Sequence, residues 1–167
     1  MTQGCTLRPA VRADLPDIVR LVRGLAEYEL LLHEFTAAEA EFAALLFAPD
    51  PVAEAMLAEI PGRKPVGIAL YYRTINTFKG RIGLFLEDLF VEPDQRGAGI
   101  GRALLAQLAR IAVERNYNAI EWRVLNWNET AIQFYQNLGA TPVTDWHVRQ
   151  LRGPALAALA EGASTHG

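Results

Sequence analysis

The chain is poor in the residues that enzymes most often use as nucleophiles and metal ligands. Cysteine occurs once, at Cys5. A lone cysteine forms no intrachain disulfide and anchors no zinc site of the paired-cysteine type. With no histidine near it in sequence, Cys5 reads as a buried or incidental thiol and not as a nucleophile. The only serine is Ser164, close to the C-terminus, which excludes a serine-nucleophile hydrolase. His33, His147 and His166 stand at no metal-ligand spacing. His33-Glu34 opens like the zinc-protease motif, but Ala37 stands where that motif needs its second histidine. All three read as surface or interface residues. There is no basic excess either: the formal net charge is −3, so nucleic acid is not an expected partner. No apolar run approaches the ~20 residues of a membrane span. Met1 to Ala10 lacks a signal-peptide core. The expectation is a cytoplasmic protein with no membrane partner, whose chemistry needs no covalent protein intermediate and no metal.

What is there is the balance of an ordinary globular protein: 167 residues, 51% hydrophobic and 21% charged. That predicts one domain over residues 1–167, with a frayed tail from about residue 162. Thr6 to Arg8 reads as a strand. Asp14 is a candidate N-cap for a helix running to about Leu32, with Ile18, Leu21, Val22, Leu25 and Tyr28 at helical spacing. Thr36 and Glu39 suggest a capping box for a second helix. Val52 to Ile60, Val66 to Tyr72 and Leu84 to Val91 read as strands, with turns at Pro61 to Pro65 and Asn76 to Gly80. Gly99 to Arg115 reads as a helix and Ala119 to Leu125 as a strand. Asn128 caps a helix to Leu138, with Gly139 at its C′ position. One or two final strands are expected in Pro142 to Leu151, and a short helix from Pro154 to Ala160. The pattern predicts an α/β (α+β) domain, a central mixed, mostly antiparallel sheet flanked by helices.

Between the strand at Leu84 to Val91 and the next helix lies Gln95-Arg96-Gly97-Ala98-Gly99-Ile100-Gly101-Arg102. Glycines let backbone amides approach an anion, and the helix N-terminus adds partial positive charge. A P-loop needs Gly-Lys-Ser/Thr, and here Arg102 and Ala103 follow Gly101. The dinucleotide fingerprint needs a third glycine at position 102, which is Arg102. A tight turn alone is the plain alternative, but Arg96 and Arg102 flanking the glycines favour an anionic ligand.

The preceding strand carries Glu87 and Asp88 inside an apolar run. Strand alternation sends them to opposite faces. A buried carboxylate is costly unless partnered, so residue chemistry leaves a structural ion pair and a site role equally open. On the late helix Ala131, Phe134, Tyr135 and Leu138 share a face, and spacing alone favours a core role for Tyr135.

Arg96-x-x-Gly99-x-Gly101 resembles the pyrophosphate-binding motif of the GNAT superfamily of N-acetyltransferases. The likeness covers most of the chain and is greatest to the diamine (spermidine/spermine-type) acetyltransferase branch. It is carried by Leu25-Ala26-Glu27-Tyr28-Glu29, Leu70-Tyr71-Tyr72, Leu86 to Val91, Trp127-Asn128-Glu129 and the run from Asn128 through Tyr135 to Gly139. The resemblance implies a GNAT-like domain that uses acetyl-CoA as cosubstrate. It implies that Arg96, Gly97, Ala98, Gly99, Ile100, Gly101 and Arg102 hold the pyrophosphate, that Leu89, Phe90 and Val91 pair with the pantetheine arm, and that Asn128 and Tyr135 contact the cosubstrate. It assigns Glu87 as general base through water, Tyr135 as general acid to the leaving thiolate, and Tyr28, Glu29, Glu87 and Asp88 as an acidic substrate site. It also implies a homodimer. One departure bears on substrate: the polyamine enzyme's Asp-Pro-Trp segment is replaced by Ile75-Asn76-Thr77-Phe78-Lys79-Gly80, with Arg81 beyond it. The expected function is acetyl transfer to a primary amine of a small cationic substrate: a diamine, a polyamine or a lysine-like amino acid. The rivals are a protein lysine or N-terminal acetyltransferase and a non-catalytic acyl-CoA-binding module.

Overall fold

The computed structural model describes residues 4–163. Ser164, His166 and the tail expected at 164–167 lie outside the described residues. The chain falls into two compact units, Met1–Leu125 and Asn126–Gly167.

The first unit is built on a five-stranded sheet. Its elements are β1 (Thr6–Pro9), α1 (Leu15–Tyr28), α2 (Glu39–Phe47), β2 (Glu54–Glu59), β3 (Gly67–Asn76), β4 (Arg81–Val91), α3 (Ile100–Glu114) and β5 (Ile120–Trp122). Strand order follows the chain, β1-β2-β3-β4-β5. Every pairing is antiparallel except the parallel one between β4 and β5. This is the mixed, mostly antiparallel sheet that the pattern predicts. One face packs Ile18, Leu21 and Leu25 of α1 and Phe42 and Leu46 of α2 against Leu57, Ile68, Leu70 and Phe90. On the other face α3 lies across β2, β3 and β4. At Gly24 α1 comes close to β4: a Cβ there would stand 2.9 Å from the Phe90 ring.

The helix ends differ from expectation for local reasons. Asp14 flanks α1 but makes no cap bond, because Arg8 donates to both its oxygens (2.7 and 2.8 Å) and the Val11 N–H donates too. α1 stops at Tyr28, short of Leu32. Leu30 takes a left-handed φ of 62°, and Leu31 N–H closes on Ala26 O at 2.8 Å in a Schellman turn. α2 starts at Glu39 rather than after Thr36, with Glu41 accepting the Ala38 N–H at 2.9 Å.

The second unit holds α4 (Glu129–Gln136) and α5 (Gly153–Ala163). Asn128 caps α4 as expected, accepting the Ala131 N–H at 3.2 Å, and Gly139 takes the expected left-handed φ of 86°. The strands expected in Pro142 to Leu151 are absent: no strand is formed there among the described residues. A strand needs a neighbour for its amides, and this stretch pairs with no strand among the described residues. It leaves Val143, Trp146 and Val148 more than 70% exposed. α5 is longer than expected and takes in Gly162 and Ala163, within the expected tail.

Candidate active site

The site begins with an irregularity in β4. Leu70 pairs with Asp88 and Tyr71 with Leu86, so Glu87 has no partner on β3. An extra residue of this kind is a β-bulge, and it shifts side-chain alternation by one. Before the bulge Phe85 faces α1 and α2, its ring 5.3 Å from that of Tyr72, which packs on the core of that face. After it Asp88, opposite core residue Leu70, and Phe90, opposite Ile68, occupy the same face. The expected opposition of Glu87 and Asp88 is thereby corrected: strand alternation fails at the bulge, and both carboxylates turn to one face.

Their surroundings differ. Glu87 is exposed, and both its oxygens lie within 3.1 Å of Arg123 Nη2. That guanidinium also stands over the Phe85 ring, 5.3 Å from its centroid. Asp88 is half-buried, and its carboxylate makes no hydrogen bond or ion pair among the described residues. Burial, then the charges of Glu87 and Glu29, push its pKa up to about 7 against the opposing pull of Arg123. Burial also raises Glu29, and it raises Tyr72 together with the neighbouring Glu87 carboxylate. The charges of Glu29 and Glu87 thus both act on Asp88.

On its other side β4 has an edge without a strand partner among the described residues. Pairing with β5 runs only over Leu84, Phe85 and Leu86, while β4 continues to Val91. Leu84 N–H bonds Ala119 O on the β5 side, and Glu92 N–H bonds Val66 O on the β3 side. Alternation counted from Glu92 turns the backbone groups of Leu89 and Val91 to the open edge, and those of Phe90 towards β3. Arg96 Nε donates to Val91 O at 3.1 Å.

Beyond β4 the glycine turn does what its sequence predicts. Gly97 and Gly99 take left-handed φ values of 78° and 81°, and α3 starts at Ile100. Ala103 N–H bonds Gly99 O at 3.0 Å as the first helical bond. The amides just before it have no intrahelical acceptor, as at any helix start, and they sit at the positive end of the dipole. Arg102 is exposed beside them. Arg96 instead folds back, with its guanidinium 4.3 Å from the Tyr28 ring centroid and 5.6 Å from that of Phe90. Residues expected in two roles, Tyr28 for substrate and Arg96 for pyrophosphate, stack on each other.

In the second unit Asn128 is buried and caps α4, as the structural reading of that residue holds. Tyr135 is half-buried, its ring 5.2 Å from that of Phe134. Cys5 is held as a thiol, burial pushing its pKa up, which suits the incidental role expected of it. Sequence reading missed Arg123. Its signal was a basic residue just past the short strand that lies parallel to the acid-bearing one, but only the observed register reveals the pairing.

The fold, the open β4 edge and the glycine turn define a class of acyl-group transferase. The sequence model of the acetyltransferase (GNAT) family matches residues 21–140, and the chain belongs to that family. It is 36% identical over 164 residues to thialysine N-epsilon-acetyltransferase of Bos taurus, covering 92% of this chain and 96% of that one. It is 31% identical to spermidine/spermine N(1)-acetyltransferase-like protein 1 of Homo sapiens, over 85% of this chain and 22% of that protein. Among solved structures, an integron cassette protein from the mobile metagenome of V. cholerae superposes with a TM-score of 0.79 at 26% identity, covering 95% of this chain and 98% of that one.

Proposed function

We propose that this acetyltransferase uses acetyl-CoA to acetylate the primary amine of a small cationic substrate, and that a lysine-like amino acid serves it better than spermidine. The observation that carries the proposal is the β4 bulge, which joins an open strand edge to an acidic site. The residues fit the cosubstrate: left-handed Gly97 and Gly99 present no Cβ at those two positions of the turn, where amides must meet pyrophosphate, and the groups of Leu89 and Val91 suit an extended amide chain. Acetyl-CoA supplies an activated thioester there. Glu29, Glu87 and Asp88 hold the substrate cation, and Tyr28 walls the site through Arg96. One carboxylate of the Glu87–Asp88 pair takes up the ammonium proton, a role the resemblance gives to Glu87. Tyr135, a phenol with ordinary pKa near 10, is protonated at neutral pH and donates to the departing thiolate. Orientation of two bound reactants provides much of the rate.

Two features favour an amino acid over a polyamine. Arg123 places a positive charge in the acidic site, ready for a substrate carboxylate. The hairpin tip lacks the polyamine enzyme's Asp-Pro-Trp segment and carries Lys79 and Arg81. We further read residues 1–167 as one catalytic domain, because the family match at 21–140 runs through both units. A homodimer is supported by the exposed apolar groups at 143–151, and the net charge of −3 does not favour a nucleic-acid partner.

The test is thiol release from acetyl-CoA with thialysine, lysine, ornithine, short diamines and spermidine. The expected result is faster turnover of the amino acids than of spermidine. Turnover of lysine-containing peptides alone would make this a protein acetyltransferase. Coenzyme A binding with no turnover of any amine would make it a binding module.

A further inference from the structure

We propose that Asp88, and not Glu87, is the carboxylate that removes the proton from the substrate ammonium. The inference rests on the reading of the protein as an N-acetyltransferase of a cationic amine.

The two acids share a face but not a situation. Glu87 is spoken for: Arg123 Nη2 lies 3.0 and 3.1 Å from its oxygens, and the guanidinium is braced on the Phe85 ring. A carboxylate already engaged by a guanidinium has fewer lone pairs free to meet a substrate ammonium. Glu87 is also the bulged residue, with no partner on β3. Asp88 has the opposite setting. It is half-buried and unpartnered among the described residues, and it faces Glu29 from the end of α1, Glu87 from its own strand and Arg123 from beyond β5. Across β3 its neighbour is the apolar Leu70. Two negative charges against one positive charge, in a partly dry place, make a group that draws a cation in and can then accept its proton.

Its pKa, pushed up to about 7, matches that task at neutral pH. In the step, an N–H bond of the ammonium breaks and an O–H bond forms on Asp88. The electron pair stays on nitrogen as the nucleophile, and the proton later leaves Asp88 for water.

The experiment is the pH dependence of kcat/KM in the thiol-release assay with thialysine. Wild type should rise through a midpoint near 7, well below the amine's own titration near ~10. D88N should lose that limb and about 10²–10⁴ in rate. D88E keeps a carboxylate and should keep the limb. E87Q should retain the limb with its midpoint moved down, because a neighbouring negative charge is gone. R123Q should move it up, because the one opposing positive charge is gone. Coenzyme A binding by calorimetry identifies any variant that fails to fold. The proposal is overturned if folded D88N keeps the limb, or if E87Q is the variant that loses it. Wild type inactive on every amine would overturn the acetyltransferase reading as well, and so is distinct from either result.

Discussion

Asp88 holds its proton to about pH 7 in the folded chain, whereas an unfolded aspartate releases it near ~3.9. Between those values the folded state binds the proton more tightly than the unfolded state does. The stability this adds is full below the unfolded value and is lost as pH rises through about 7. An uncharged isostere escapes that loss. D88N should therefore be more stable than wild type at about pH 8, by roughly 1–2 kcal/mol, or about 3–6 °C in Tm, after allowance for partial exposure. At about pH 4 the two should melt together to within ~1 °C. Thermal melts at both values check this, and an Asn variant that is inactive yet more heat-resistant would separate lost chemistry from lost fold. Tyr135 makes a complementary case. Y135F keeps the ring against Phe134 and removes only the hydroxyl, so it should bind coenzyme A normally and lose about 10² in kcat with a short-chain amine. Unchanged turnover across pH would give the acid's role to another group.

Among the elements, α1 and β4 depend on each other at one glycine. Gly24 lies mid-helix, where alanine would raise helix propensity by about 1 kcal/mol. Its Cβ, however, would stand 2.9 Å from two carbons of the Phe90 ring, which is only 6% exposed. The ring cannot swing away without opening the core, so overpacking outweighs propensity. G24A should lower stability by about 1–2 kcal/mol, and because Phe90 borders the open edge, it should weaken coenzyme A binding too. Urea melts and calorimetry read the two effects. Much of this architecture is legible in the sequence: the helical spacing of Ile18, Leu21 and Leu25, the glycine turn before α3 and the Asn128 cap all stand where residue chemistry puts them. The bulge is not legible. Nothing in Leu86-Glu87-Asp88-Leu89 distinguishes an extra residue from regular alternation, because a bulge is a property of the pairing with β3. The same limit hid Arg123, and it produced the expected strands at 142–151. There the amino acids have strand character, but strand formation depends on a neighbour.

That unpartnered stretch bears on the whole molecule. Val143, Trp146, Val148 and Leu151 are 71%, 73%, 76% and 48% exposed, a run of apolar groups that a solitary chain leaves in water. Trp146 and Val148 are two apart, as on one face of a strand, with the polar His147 between them. A second copy that supplied the missing strand neighbour would cover this face. Burying a tryptophan and a valine is worth about 1.5–3 kcal/mol each, and two-fold symmetry counts every contact twice. Replacing both with glutamate would remove most of that gain and set like charges against each other. W146E/V148E should then weaken dimerisation by more than about 10³ and run as a monomer at micromolar concentration. The surface is already solvent-exposed in one chain, so the change should cost the isolated fold under about 0.5 kcal/mol. Light scattering on wild type and variant decides it. A wild-type monomer at high concentration removes the dimer from this account, and a dimer that survives the double substitution assigns its interface to another face.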